Sequence, residues 1–274
     1  KRFKMFENSK YLNKNSWKFD KFIKPYPFIL LNDFLKKEIY QEVTRKFPDI
    51  RKFEKNGNIE GNNIQIRMDY KDFSSKPDLY WKEFSNYFLT EDFFYNFCKF
   101  YEDDIKHWYP EIYSKLKNKD FKIGIFNIDT FDNCDVLLDF HLGINTPVKE
   151  LTSVRGPHLD NKKSLYTALC YLKDEDDKTN SGHFTVYKKK PYKILKFNTG
   201  RQINLSDVQE YKEIKYKSNR VATFMNTKNS IHGVTPREVT DKVRKFFAFT
   251  AVYKEGLYKN SITTRIVNRV KNFF

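Results

Sequence analysis

The sequence has few cysteines and few glycines, and it lacks a long hydrophobic run. Its three cysteines, Cys98, Cys134 and Cys170, are an odd number without a paired spacing, which indicates neither a disulfide framework nor a zinc module. The longest apolar stretches, such as residues 28–31, have the length of a strand and are too short to span a membrane. These absences predict a soluble protein in a reducing, cytoplasmic setting.

Acidic residues are scarce relative to basic ones, with 35 Asp and Glu against 51 Lys and Arg and a formal net charge of +16. This excess of positive charge suggests nucleic acid or an anionic surface as a binding partner. The chain also contains 27 Phe against 9 Gly, which is typical of an AT-rich coding bias. Both explanations of the charge stay open. The first six residues are basic but are not followed by the apolar core of a signal peptide, and a start at Lys1 is consistent with a missing upstream piece.

The length of 274 residues favours one large domain. With 39% hydrophobic and 18% aromatic residues the chain can bury a core, which excludes a disordered protein. We expect a single domain over residues 1–274, made of an N-terminal arm (1–24), a mostly helical support region with one early strand (25–119), a β core (120–254) and a basic C-terminal helix or tail (255–274).

The support region begins with a strand. Prolines in residues 24–27 disfavour helix, and the apolar residues 28–31 follow them. An Asn-Asp pair then caps a helix. Residues 51–76 carry glycines among Asn and Lys and predict a mobile loop, whereas residues 77–116 predict two helices with buried aromatic faces.

Beyond residue 120 the hydrophobic period changes to two, as in strands. Short strand-like runs separated by Asn, Asp, Gly and Pro occur at residues 121–126, 136–144, 154–160, 165–173, 183–188, 220–226, 230–234 and 244–253. Many short strands with such turns predict a two-sheet β-barrel of jelly-roll type. The expected fold class is therefore mainly β with flanking helices (α+β).

His158 and Asp160 form the most informative motif. Residues two positions apart on an extended strand leave the same face, so both side chains can bind one metal ion. His232 lies in another short strand-like run and is the best candidate for a third ligand. Two imidazoles and one carboxylate on one side of a metal are typical of non-haem Fe(II) oxygenases.

The segment from His158 to Tyr253 resembles the Fe(II)/2-oxoglutarate-dependent oxygenases, and within them the prolyl-hydroxylase-like branch. Three features carry the resemblance in chain order: H-x-D (His158, Asp160) before a Tyr-Leu strand (Tyr171, Leu172), a Ser-Gly turn (Ser181, Gly182), and a distal His with a basic residue one strand later (His232, Arg244). The resemblance implies a double-stranded β-helix (jelly-roll, cupin-like) core.

The same resemblance implies a dioxygenase that hydroxylates a C–H bond of a protein side chain, for example prolyl, or of a small metabolite. This reaction is coupled to decarboxylation of 2-oxoglutarate to succinate and CO₂. The implied cofactors are Fe(II), the cosubstrate 2-oxoglutarate and O₂, with ascorbate as a supporting reductant. The partner is then an unidentified protein or small molecule, and the oligomeric state stays open.

In the family a basic residue after the distal histidine binds the far carboxylate of 2-oxoglutarate, and Arg244 occupies that place. Arginine suits this role because its planar fork can grip a carboxylate through two hydrogen bonds. Arg237 is closer to His232 in the sequence but lies at the entry to a turn. Arg244 is therefore preferred as the residue that binds this carboxylate. Tyr171 matches the tyrosine that also binds this carboxylate, with a buried strand tyrosine as the structural alternative.

Two departures from the family pattern concern the cosubstrate pocket. Phe246 and Ala248 stand where the family often has a hydroxyl residue, so Thr250 or Thr167 is a candidate to replace it. The usual Gly-Gly is Gly182-His183 here, a change we expect to alter the turn and not the ligands.

Substrate contacts are the least readable part of the site. Arg155 and Asn145 lie just upstream of the ligand strand and are candidates for contacting the cosubstrate or the substrate. Arg155 is a candidate anchor for an anionic substrate, with a surface salt bridge as the alternative. For His141 and His183 we expect hydrogen-bonded core positions.

Two other functions stay open. Nucleic-acid oxidation or demethylation fits the charge, but it requires a basic groove with an aromatic stacking platform, and the Arg-rich signature of such enzymes after the distal histidine is absent. The other is a non-catalytic jelly-roll module that keeps a metal. The final residues, 259–274, predict an amphipathic helix that docks on the domain, on a dimer partner or on an anionic membrane face.

Overall fold

The computed structural model describes residues 6, 9–13, 17–74, 79–193, 195 and 201–258. The strands in this part of the chain are β1 Lys18–Phe22, β2 Phe28–Asn32, β3 Gln65–Asp69, β4 Ile123–Ile125, β5 Val136–Asn145, β6 Ser164–Tyr171, β7 Phe184–Lys189, β8 Val208–Ile214, β9 Arg220–Met225, β10 His232–Val234 and β11 Arg244–Tyr253. The α-helices are α1 Lys37–Arg45, α2 Tyr70–Ser74, α3 Leu79–Phe88, α4 Glu91–Cys98, α5 Glu102–Trp108 and α6 Pro110–Asn118. Short 3-10 helices span Ile50–Asn56, Lys99–Tyr101 and Leu205–Asp207.

The strands form two sheets. The major sheet has the order β1-β2-β9-β6-β11-β5-β3, with β4 added to β5, and the minor sheet has the order β10-β7-β8. Neighbouring strands are antiparallel except for β4 and β5. A buried apolar cluster holds side chains from both sheets, so the sheets face each other. The prediction of a mainly β fold with flanking helices and a jelly-roll core is confirmed.

Strand β11 shows how one strand serves two sides of the major sheet. Phe247 and Phe249 belong to the cluster that includes the helices, whereas Phe246 and Ala248 belong to the cluster between the sheets. Alternate residues of a strand point to opposite faces, and both faces are covered here. The strand therefore appears in the sequence as a nearly continuous apolar run.

The helices cover the outer face of the major sheet with aromatic side chains. Phe88 of α3 lies with its ring centroid 5.5 Å from that of Phe140 and 5.1 Å from that of Phe249. Helix α4 begins at a capping threonine, because the Thr90 hydroxyl accepts a hydrogen bond from the Phe93 N–H at 3.2 Å. The aromatic stripes expected in this region are buried core, as predicted.

The structure corrects three local predictions. Where two helices were expected over residues 77–116, the chain forms the four α-helices α3 to α6. Residues 51–76 are not one loop, because part of a 3-10 helix, β3 and α2 lie there. β3 pairs with β5, a strand far along the chain, and such pairing leaves little local signal. Residues 154–160 are not a regular strand, and only His158 in this stretch makes isolated bridges.

β1 of the predicted N-terminal arm pairs with β2 at the edge of the major sheet. The helix predicted for residues 259–274 lies outside the described residues. Among the helices that the structure does describe, none has the length and apolar character needed to cross a membrane.

Candidate metal and cosubstrate site

His158 and His232 face each other across two backbone hydrogen bonds. The His158 N–H donates to the His232 carbonyl at 2.8 Å, and the His232 N–H donates to the His158 carbonyl at 3.1 Å. His232 begins β10, whereas His158 is bridged on its other side to Gln202. The two imidazole centroids are 4.2 Å apart. The distal histidine thus reaches the H-x-D segment because their backbones are neighbours.

Gly233 permits this close approach. A Cβ at this position would lie 2.9 Å from the carbonyl carbon and oxygen of Gly156 and 3.1 Å from the nitrogen of Pro157. Real Cβ atoms do not approach backbone atoms to 2.9 Å, so any side chain here would push β10 away from the segment that carries His158.

The candidate ligand atoms of His158, Asp160 and His232 lie close together. Asp160 Oδ1 lies 3.7 Å from His158 Nε2 and 3.6 Å from His232 Nε2. All three ligand atoms are within 4.8 Å of one another. Two atoms bonded to one metal ion at about 2.1 Å can be separated by up to about 4.2 Å. The carboxylate can therefore share one ion with either imidazole.

Both imidazoles are held in the tautomer that a metal requires. His158 Nδ1 lies 2.9 Å from the Gly156 carbonyl oxygen, and His232 Nδ1 lies 2.9 Å from the Ser230 carbonyl oxygen. A carbonyl can only accept, so each Nδ1 carries the proton and each Nε2 keeps a lone pair directed at the site. This donor set fits a bound divalent metal.

Thr167 fixes the carboxylate. Its hydroxyl donates to Asp160 Oδ2 at 2.9 Å and leaves Oδ1 facing the two imidazoles. A hydrogen bond on the second oxygen of a ligating carboxylate orients it and limits it to one coordinating atom. From the sequence, Thr167 was a candidate hydroxyl for the cosubstrate pocket. In the structure it contacts the candidate metal ligand Asp160 instead.

The electrostatic state of the site also suits metal binding. Burial lowers the pKa of His232 to about 3, so its imidazole is neutral near pH 7. Burial alone would raise the pKa of the Asp160 carboxyl, but the adjacent His232 and His158 outweigh burial and hold that pKa well below its usual range. A neutral imidazole and an ionised carboxylate are the forms that bind a metal ion.

A cavity between the two sheets joins these ligands to a buried cation. It is lined by His158, Asp160 and His232, and also by Arg244 and Tyr171. Arg244 is only 4% exposed, and no acidic side chain pairs with it within the described ranges. A buried cation without a counter-ion is costly, so this arrangement points to an anionic ligand.

The guanidinium of Arg244 is held by aromatic rings and one carbonyl. Its carbon lies 4.2 Å from the ring centroid of Tyr216 and 5.0 Å from that of Tyr171. Its Nη1 donates to the Gly182 carbonyl. Gly182 has φ +66°, and a Cβ there would lie 2.2 Å from Arg237 Cγ, so this turn requires glycine. Sequence reasoning missed Tyr216, because no local motif marks it.

Arg237 occupies a structural position. Its guanidinium donates to Asn63 Oδ1 at 3.1 Å, to the Thr146 carbonyl at 3.0 Å and to the Lys242 carbonyl at 2.9 Å. It does not line the cavity. These three acceptors occupy both of its terminal nitrogens, so the geometry favours Arg244 over Arg237 as the cation for the cosubstrate.

The hydroxyl expected beside Arg244 is not Thr167 or Thr250. These two threonines are opposite each other in the β6–β11 register, six residues along β11 from Arg244 and on the metal side. Phe246 lines the cavity where the family often has a hydroxyl. Tyr171 also lines the cavity, with its ring centroid 5.0 Å from the guanidinium carbon of Arg244, and its phenol is a candidate replacement.

His141 and His183 lie outside the metal cluster, as expected. His141 Nδ1 is 3.2 Å from Asp139 Oδ2. His183 Nδ1 accepts a hydrogen bond from the Tyr216 N–H at 3.1 Å. His183 thus helps to place Tyr216 over Arg244.

Both predicted substrate residues line the cavity. Asn145 is opposite Arg244 in the β5–β11 register, is 3% exposed, and its Nδ2 has no hydrogen-bond partner within the described residues. A buried unpartnered amide donor indicates a ligand on that side of the cavity. Arg155 is partly buried nearer the metal ligands, and β3 adds Gln65 and Arg67, which sequence reasoning missed.

Comparison with known proteins agrees with this geometry. Residues 150–250 match the family model described as the 2OG-Fe(II) oxygenase superfamily. A search of curated protein sequences found no significant match.

Among solved structures, a prolyl 4-hydroxylase from Phytophthora capsici aligns at 14% identity and a TM-score of 0.45, over 90% of this chain and 68% of that one. A Pseudomonas putida prolyl-4-hydroxylase aligns at 11% identity and a TM-score of 0.39, over 83% and 93% of the two chains. A prolyl hydroxylase from Trichoplax adhaerens aligns at 12% identity and a TM-score of 0.38, over 83% and 84%. Each of these structures is less than 15% identical to this chain and aligns with a TM-score below 0.5.

Proposed function

We propose that this chain, which belongs to the 2OG-Fe(II) oxygenase superfamily, hydroxylates a C–H bond of a protein side chain, such as prolyl, or of a small metabolite. The enzyme is a 2-oxoglutarate-dependent dioxygenase that uses Fe(II) and O₂. Its proposed metal ligands are His158, Asp160 and His232. Arg244 and Tyr171 are the proposed cosubstrate contacts.

The observation that carries the proposal is that three candidate metal ligands share one cavity with a buried arginine that has no acidic partner among the described residues. A keto-diacid needs both, because its keto-acid end chelates a metal and its far carboxylate needs a cation. A non-catalytic metal module would have no need of Arg244. The geometry therefore favours the enzyme over the module.

The protein residues divide the work along this cavity. His158 Nε2, His232 Nε2 and Asp160 Oδ1 would hold the iron on one side, so that the other side stays open to ligands. Arg244 and Tyr171 would orient the distal carboxylate of 2-oxoglutarate. Bound Fe(II) with O₂ supplies the redox chemistry that couples hydroxylation to the release of succinate and CO₂. The apolar walls formed by Phe184 and Phe246 exclude water from this chemistry.

Succinate formation tests the proposal. Protein reconstituted with Fe(II), 2-oxoglutarate, O₂ and ascorbate should convert 2-oxoglutarate to succinate, with stimulation by the true substrate in pools of peptides or of small metabolites. Asp160→Ala should abolish turnover and keep the circular dichroism of the wild type. Equal turnover in the two proteins would refute the metal triad.

A cytoplasmic location is part of the proposal. Cys98, Cys134 and Cys170 are free, and two of them are buried. Free thiols are usual in a reducing compartment, which also helps to keep iron ferrous. Fractionation of cells that express the protein should recover it with cytosolic markers, and recovery in an oxidising compartment would contradict this.

A further inference from the structure

Two arginines line the cavity that holds the metal triad and are distinct from the one proposed for the cosubstrate. Arg67 lies on β3 and Arg155 lies three residues before His158. Within the described part of the chain neither guanidinium makes a hydrogen bond or a close ion pair, although Arg155 interacts electrostatically with Asp160. Arg67 is exposed and Arg155 is partly buried, so both charges are available to a molecule that enters the cavity.

The backbone holds Arg155 beside the ligands. The Val234 N–H donates to the Arg155 carbonyl at 2.9 Å, and the Ser153 hydroxyl donates to the Val234 carbonyl. Arg155 is therefore fixed to β10, the strand that carries His232. Burial lowers the pKa of Arg155, the Asp160 carboxylate opposes this shift, and the charges of Arg201 and Arg67 add to it, as expected of arginines grouped near one another.

β3 presents Arg67 by strand alternation. Ile66 and Met68 are buried, whereas Gln65 and Arg67 line the cavity. β3 is the edge strand beside β5, so its polar face forms one rim of the cavity. A third arginine, Arg201, lies beside the segment that carries the metal-ligand candidates, because its carbonyl accepts a hydrogen bond from the Leu159 N–H at 3.2 Å. The Arg201 side chain is exposed.

The cavity lining distinguishes between anionic partners. Its aromatic members, Tyr171, Phe184 and Phe246, are all buried at 5% exposure or less. A nucleic-acid enzyme needs an accessible aromatic surface on which bases stack, and no exposed aromatic residue lines the described cavity. Guanidinium groups without such a surface fit a carboxylate, which arginine binds through two parallel hydrogen bonds.

We propose that Arg155 and Arg67 bind a carboxylate of the substrate, so that the enzyme selects an acidic peptide or a small acid whose carboxylate lies near the C–H bond to be hydroxylated. This rests on the proposed function, because the metal triad defines where the reacting carbon must be. Arg155 and Arg67 are then substrate-positioning residues, and the carboxylate on the substrate is the specificity element.

Binding can be measured without turnover. Mn(II) replaces Fe(II), and N-oxalylglycine, an unreactive analogue of 2-oxoglutarate, fills the cosubstrate position. The probes are a capped peptide with two aspartates, the same peptide with asparagines, free L-aspartate and a thymidine oligonucleotide. Paramagnetic broadening of each probe's proton resonances by Mn(II) reports binding close to the metal.

With the wild-type protein, Mn(II) should broaden the proton resonances of an acidic probe and not those of the asparagine peptide. Arg155→Gln and Arg67→Gln should each weaken this binding at least about tenfold, because each removes charged hydrogen bonds. Arg51→Gln is the matched control, since Arg51 is exposed and does not line the cavity. Stronger broadening of the peptide assigns a peptide substrate, whereas stronger broadening of L-aspartate assigns a small acid.

Three results would overturn the inference: equal binding of the acidic and asparagine peptides, preference for the oligonucleotide, or unchanged affinity in both glutamine variants. Mn(II) binding is followed separately by electron paramagnetic resonance, and its absence would contradict the proposed metal site instead. In that case calorimetric titration of the acidic probes into metal-free wild type and Arg155→Gln still decides the role of the arginines.

Discussion

The two faces of the major sheet carry different kinds of residue. The outer face packs aromatic rings against the helices, with Phe88 among Phe140, Phe247 and Phe249. The inner face also has apolar residues, but it places the charged guanidinium of Arg244 and the Asn145 amide, which has no hydrogen-bond partner among the described residues, beside a cavity. The three metal-ligand candidates line the same cavity from β10 and from the segment before β6. The outer face stabilises the sheet, and this lets the inner face keep polar groups that are costly without a ligand.

The largest effect is expected on the outer face. Phe88→Ala should lower the free energy of unfolding by about 3–5 kcal/mol, because it leaves a cavity among packed rings. Metal affinity of the folded fraction should match that of the wild type. Chemical denaturation and calorimetric metal titration measure these two quantities, and a large loss of metal affinity in the folded protein would break the separation of the two faces.

The two buried arginines offer a matched pair. Arg244→Gln should weaken 2-oxoglutarate binding by about 2–5 kcal/mol, because the far carboxylate loses its charged partner. Arg237→Gln should leave 2-oxoglutarate binding near the wild-type value and lower stability by about 1–3 kcal/mol, since buried acceptors lose their donor. The KM for 2-oxoglutarate and thermal unfolding decide this, and the opposite distribution of effects would reassign the cosubstrate cation to Arg237.

Gly233→Ala tests whether the backbone of β10 must touch the segment that carries His158 for the metal to bind. The added methyl group meets Gly156 and Pro157 backbone atoms, and such overpacking typically costs about 1–3 kcal/mol. We expect the loss to appear mainly as weaker metal binding, because β10 moves away from His158. Gly156→Ala is the control, since a Cβ there meets no atom within 4 Å. Equal metal affinity in both variants would contradict this.

The smallest expected effect concerns the orientation of the carboxylate. Thr167→Val removes the hydrogen bond to Asp160 Oδ2 and should weaken metal binding by about 10–100-fold, the usual effect of losing a hydrogen bond to a metal ligand. Thr167→Ser keeps the hydroxyl and should restore most of the affinity. An unchanged affinity in the valine variant would show that Asp160 is held by other contacts.

The sequence predicted the parts of the site that are set by residue type and short spacing. His158 and Asp160 were predicted as metal ligands from their spacing, and His232 because the chain contains only 5 His. The structure brings these three candidates together. The jelly-roll core followed from the change to period-two patterning. Arg244 was preferred over Arg237 from its place at the start of a strand, and the contacts of Arg237 explain why it is unavailable.

The parts that could not be predicted depend on long-range pairing. Arg67 reaches the cavity because β3 pairs with β5, and Tyr216 covers Arg244 because His183 accepts its backbone N–H. Neither contact has a local sequence pattern. Thr167 was considered for the wrong end of the cavity, because only the β6–β11 register places it beside Asp160. Patterning thus predicts which face is polar, whereas register determines which polar groups meet.

The central claim is that His158, Asp160 and His232 bind one iron ion at the end of the cavity opposite Arg244. Anaerobic crystals containing Fe(II) and 2-oxoglutarate, measured on both sides of the iron absorption edge, test it most directly. We predict one anomalous peak bonded to the two Nε2 atoms and Asp160 Oδ1, with the distal carboxylate of 2-oxoglutarate on Arg244. A peak at other residues, or one that any of these three atoms does not touch, would contradict it.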